Sequence, residues 1–132
     1  MSTNYTNTFI TIASDSKLRS GTKPSKEGTI AAMQYELIHD NPYTYTSDDI
    51  LFITHARRQE IPKTQWDAAR KEFFSKSKAC LRASPLVKHF GWGLHHDGQG
   101  RVAMYGAETE RYKYFAEQSD VKVVAGMRSA RA

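Results

Sequence analysis

The chain has 132 residues, of which 39% are hydrophobic and 25% charged, with a net charge of +5 and one cysteine. That length fits a single domain over 1–132 with a core of its own, and a lone cysteine excludes an internal disulfide. No apolar run approaches the roughly 20 residues of a membrane helix, and no secretory leader is evident, so the expectation is a cytoplasmic protein with no membrane partner.

Thr8–Ala13 is rich in β-branched and aromatic residues and predicts a strand. Residues 14–28 are polar, with Gly21, Pro24 and Gly28, and predict a flexible loop or arm able to cover a ligand. Thr29–Asp40 places Ile30, Met33, Leu37 and Ile38 on one helical face, and Asn41-Pro42 ends it. Thr46-Ser47-Asp48-Asp49 matches a capping box, so residues 50–58 predict a helix; their β-branched content keeps a strand as the alternative. Thr64 can cap a third helix through Lys76, with Trp66, Ala69, Phe73 and Phe74 inward.

Ser84-Pro85 is a helix start: Ser accepts free amide protons, and Pro at the first helical position gives up no needed hydrogen bond. Gly91 suits the left-handed residue after a short helix. Trp92–His96 and Arg101–Tyr105 flank a hairpin turn, Asp97-Gly98-Gln99-Gly100. Glu108–Gln118 predicts a helix with Tyr112 and Phe115 on its apolar side, and Val121–Met127 a last strand. Residues 128–132 form a basic tail expected to fray. Strands and helices without regular alternation point to an α+β fold: a small, mainly antiparallel sheet of about four strands, covered on one side by four or five helices.

Certain motifs recur together in a known group: Asn41-Pro42-Tyr43, His55-Ala-Arg-Arg58, Cys80-Leu-Arg-Ala-Ser-Pro-Leu86, Gly91-Trp-Gly93 with His95, and Met127-Arg-Ser129. In this order and spacing the chain resembles a widespread microbial family of small proteins, catalogued only as a domain of unknown function. The Leu-Arg-Ala-Ser-Pro-Leu and Gly-Trp-Gly pair is the most specific part of a full-length match. The resemblance implies a shared fold and no activity, cofactor or catalytic residue.

Charge concentrates in one stretch. Residues 71–91 carry five basic side chains (Lys71, Lys76, Lys78, Arg82 and Lys88) against one acidic, Glu72. Such an excess attracts phosphates and carboxylates. The leading candidate site is therefore for a small anionic ligand or an acidic partner at the Ser84 helix start. Arg82 would pair with the anion, Ser84 and the following amides would cradle it, and Trp92 would wall the pocket. Arg57 and Arg58 would join from the preceding helix.

Two rivals belong to other classes. Cys80 with His96 or His89 could form a nucleophile and base, but Cys80 follows a helix between small or apolar neighbours, so an enzyme is the weaker reading. Nucleic-acid binding would use the basic stretch with Trp66, Phe73, Phe74, Phe90 and Trp92 as stacking partners. No metal is expected. His95 and His96 are adjacent on a strand and point to opposite faces, one outward and the other packed under Trp92; no metal-ligand spacing occurs elsewhere. No cofactor is implied.

Overall fold

The computed structural model describes residues 2–129. Four strands form one sheet in the order β3-β2-β1-β4: β1 (Thr8–Thr11), β2 (Trp92–His96), β3 (Val102–Gly106) and β4 (Lys122–Ala125). β2 pairs antiparallel with β1 and with β3, whereas β4 runs parallel to β1. The hairpin turn forms as the sequence predicts. The Asp97 carboxylate accepts from the amides of Gln99 and Arg101, and Gly100 takes a positive φ of 78°.

The helices are α1 (Ile30–His39), α2 (Ser47–Arg58), α3 (Trp66–Phe73), α4 (Pro85–His89) and α5 (Glu110–Glu117), with 3-10 turns over Lys63–Gln65 and Leu81–Ala83. Local capping explains most of these starts. Thr29 accepts from the amide of Ala32. Thr46 and Asp49 form both bonds of a capping box, and this settles residues 50–58 as helix despite their β-branched content. Ser84 caps α4, with Pro85 at its first position. Gly91 has φ +76°, and a Cβ there would stand 2.2 Å from the carbonyl oxygen of Ser20, so the position requires glycine.

Pairing register sorts the strand side chains between two faces. Ile10, Leu94 and Val102 face one side and join Leu37, Ile38, Ile50, Leu81, Leu86 and Val87 of the helical layer in the main core. Phe9, Gly93, His95, Ala103 and Tyr105 face the other side. There Phe9 meets Tyr112 edge-on at 5.1 Å, and Phe115 stacks on His95 at 3.9 Å. Helices therefore cover both faces, not one: α5 lies opposite α1, α2 and α4. Gly93 permits this, because a Cβ there would approach Phe9 to 2.5 Å and Tyr112 to 2.6 Å.

Residues 12–29, which include the segment 14–28 expected to be a flexible arm, have neither helix nor strand, and β1 stops short of the predicted Ala13. The segment is fastened near its middle. The Gly21 amide donates to Glu108, the Thr22 amide to the Phe90 carbonyl, and the Trp92 indole to the Thr22 carbonyl. The last strand ends at Ala125, earlier than the predicted Met127, because Gly126 bonds Thr11 and Met127 turns to bond Arg82. The tail expected over 128–132 falls mostly outside the described residues.

Candidate functional site

The residues singled out from the sequence do not converge on one cavity. Ser84 is buried, and its hydroxyl is fully engaged: it donates to Gln34 of α1 at 2.6 Å and accepts from the Leu86 amide at 3.1 Å. Arg82 lies at the outer edge of β4, where its Nε donates to the Ala125 carbonyl at 2.7 Å and its own carbonyl accepts from Met127. Trp92 packs against Tyr35 at 5.8 Å and supports Gly21, whose Cβ would strike the indole at 2.8 Å.

Arg57 and Arg58 do face cavities. Both stand exposed at the end of α2, and each lines a cleft with the arm and α1, Arg58 near the start of α1 and Arg57 farther along it. Arg58 lines a cleft of about 620 Å³ with Lys26 of the arm, Ile30 of α1, and Pro85 and Phe90 at the two ends of α4. This cleft borders Ser84 through Pro85, so the neighbourhood of the α4 start is concave even though Ser84 itself is sealed off. Its character is mixed: two cations, one carboxylate (Glu27) and an apolar wall that leaves Ile30 38% exposed. Arg57 lines a second cleft of about 620 Å³ with Lys23, Glu27, Tyr35, Glu36 and Asp40. Arm residues Pro24, Glu27 and Gly28 belong to both.

Cys80 and His96 share a neighbour. The Tyr5 hydroxyl lies 3.1 Å from Sγ of Cys80, and the Tyr5 ring meets His96 edge-on at 5.5 Å. Burial and the contact with the Cys80 thiol raise the Tyr5 hydroxyl to a pKa of about 12. His96 is wholly buried, and neither ring nitrogen has a hydrogen-bond partner among the described residues. Burial lowers its pKa to about 4; the nearby backbone of Leu94 and Thr8 offsets only part of that shift. His96 thus packs under Tyr5 rather than under Trp92.

His95 is half-buried rather than simply outward. Its Nδ1 lies 2.8 Å from the Tyr43 hydroxyl, which also lies 2.8 Å from the Tyr105 hydroxyl. Burial lowers the His95 pKa and raises that of Tyr43. Tyr43 has φ +55°, an uncommon conformation for a bulky residue. No helical or strand periodicity joins these residues, although Tyr43 and His95 both fall in motifs of the family resemblance. Tyr5 carries no signal in the sequence, since it acts through contacts far along the chain, and Lys26 is legible only as one charge of the arm.

Of the aromatic residues proposed for stacking, Trp66 and Phe73 pack on Phe52, Phe74 on Phe73 and Trp92 on Tyr35, while Phe90 lines the Arg58 cleft. Phe52 meets Trp66 at 5.6 Å and Phe73 at 6.0 Å, and the Lys78 ammonium sits over Phe73 at 4.5 Å. No group of three His, Cys, Asp or Glu placed to hold a metal ion occurs among the described residues. Nor is any helix among them long and apolar enough to cross a membrane.

A mixed four-stranded sheet with helices on both faces defines an α+β protein. Over residues 1–132 the chain belongs to a family of unknown function (DUF6157). No curated protein and no solved structure matches it.

Proposed function

We propose that this protein is a non-enzymatic binder of a small organic anion, and that the Arg58 cleft beside the α4 start is its site. Arg58 and Lys26 supply the positive charge, and Ile30, Pro85 and Phe90 receive an apolar body. The observation that carries this reading is Arg58 itself. It opens into a half-apolar cleft with no ion pair to any described residue. A planar guanidinium in that position suits a carboxylate or phosphate. Arg82, Ser84 and Trp92 support the surroundings: Ser84 fixes α4 to α1, Trp92 seats the arm and Arg82 closes the sheet edge.

Phenylphosphate and 4-phenylbutyrate are suitable probes, read by calorimetry and thermal shift. Binding is expected, with Arg58→Ala and Lys26→Ala each weakening it about tenfold or more and Arg82→Ala leaving it within twofold. Absence of binding, or binding indifferent to Arg58→Ala, overturns the assignment.

A further inference from the structure

The segment that precedes β1 is tied down at both ends. Thr3 donates its amide and its hydroxyl to the Asp48 carboxylate, each at 2.7 Å, and the Asp48 amide donates to the Asn4 side chain. At the other end the Asn7 amide donates to the Asp97 carbonyl at 3.0 Å. Between these anchors neither Tyr5 nor Thr6 donates a backbone hydrogen bond to a described residue. Asn4, Thr6 and Asn7 are exposed, and only Tyr5 turns inward.

Tyr5 covers two groups at once, the Cys80 thiol with its hydroxyl and His96 with its ring. His96 is the anomaly of the core, because it is wholly buried and neither nitrogen finds a partner among the described residues. A proton on that ring would be a buried charge with nothing to accept from it. Its surroundings give little relief. Asp97 favours the charged ring and His95 opposes it. Its pairing partners, Thr8 of β1 and Val102 of β3, carry no charge. Beyond the Tyr5 hydroxyl stand Cys80 and the cationic Arg82, and Asp48 of α2 acts on the strap through Thr3. Thr8 and Val102 are fixed in the ladder, so the layer able to yield is the irregular segment that holds Tyr5.

We infer that Thr3–Asn7 is an acid-released strap: a proton taken up from solvent by His96 lifts Tyr5 and bares the Cys80 thiol. The device is separate from the Arg58 cleft and does not rest on it. With the strap closed, His96 takes a proton only near pH 4, whereas a solvated imidazole takes one near 6.5. Opening therefore gains up to about tenfold for each pH unit below 6.5, or about a hundredfold by pH 4.5. The motion is a local opening that leaves the sheet and the helical layer in place.

The test follows the reaction of Cys80 with 4,4′-dithiodipyridine in the full chain as the pH is lowered. Rates are divided by those of N-acetylcysteine, which removes the pH dependence of the reagent itself, and far-ultraviolet ellipticity is recorded alongside. The normalised rate should rise about a hundredfold between pH 6.5 and 4.5 while the ellipticity holds. His96→Leu should keep the rate low throughout, and Tyr5→Ala should make it fast already at pH 7 and indifferent to acid. A flat parental profile, or a thiol still slow at pH 7 in Tyr5→Ala, overturns the inference. So does a rise that persists in His96→Leu, which would give the release to Asp48 and its bonds to Thr3. A loss of ellipticity in step with the thiol reaction overturns it as well, since the whole chain would then be opening.

Discussion

The hydroxyl of Tyr43 lies 2.8 Å from Nδ1 of His95, across the sheet from the helices that flank Tyr43 in sequence. Tyr43 belongs to the link between α1 and α2, which pack on the main-core face, yet His95 points to the α5 face. The positive φ of Tyr43 turns the ring around the β3 edge, where its amide bonds the Val102 carbonyl. Tyr43→Phe removes two hydrogen bonds and leaves His95 and Tyr105 half-buried without that partner. A loss of about 1 kcal/mol is expected. Urea denaturation checks it; an unchanged midpoint would show that the hydroxyl only lines the edge.

Acid should weaken the fold through His96. Its pKa falls from an ordinary 6.5 to about 4 in the folded chain, so between those values the unfolded state binds more protons. Stability is complete above about pH 6.5 and declines as pH drops through about 4, by up to about 3 kcal/mol. His95, whose pKa is also lowered, acts in the same direction. His96→Leu removes the two unpartnered nitrogens and should flatten the profile while matching the parent at pH 7. A variant that loses stability just as steeply between pH 6.5 and 4 would assign the acid response to other groups.

Gly93→Ala should loosen α5. The new methyl would meet Phe9 and Tyr112 at less than van der Waals distance, and the backbone of β2 cannot move aside within its ladder. Overpacking of this kind costs about 1–3 kcal/mol. A Tm lowered by several degrees, with a change in the near-ultraviolet dichroism of the tyrosines, is the expected signature; a parental Tm contradicts it.

Ser84→Ala should cost about 2 kcal/mol, because it removes a helix cap and strands the buried amide oxygen of Gln34. Anion binding by the folded variant should survive, since the hydroxyl is turned away from the Arg58 cleft toward α1. Loss of binding with an unperturbed Tm would return Ser84 to the site.

Much of the local structure could be read from residue types alone. The Thr46 box, the Ser84-Pro85 start, the Gly91 stop and the Asp97–Gly100 turn act within a few residues, and each forms as expected. The α+β class followed from their order. The placement of α5 on the second face could not be read, because Gly93 creates the space for it and Phe115 fills that space from another part of the chain. Arg82 illustrates the same limit at the site. Its charge and its position beside Ser84 suggested an anion, but β4 arrives next to it from more than forty residues away and takes its Nε. Arg57 and Arg58 are legible as a charged pair, whereas the clefts they enter exist only because α1 and the arm line them as well.

The strand order has a consequence for how the molecule is made. β1, first in sequence, occupies an interior position, and its neighbours β2 and β4 are both drawn from the later part of the chain. During synthesis Phe9 and Ile10 must wait, unpaired and apolar, until β2, which supplies His95 and Leu94 as their partners, has left the ribosome. Folding is then dominated by distant pairings, a topology that is slow and exposed to misassociation. The capped helices α1 and α2 emerge in that interval and can shelter one side of the first strand, leaving its other side bare until α5 arrives.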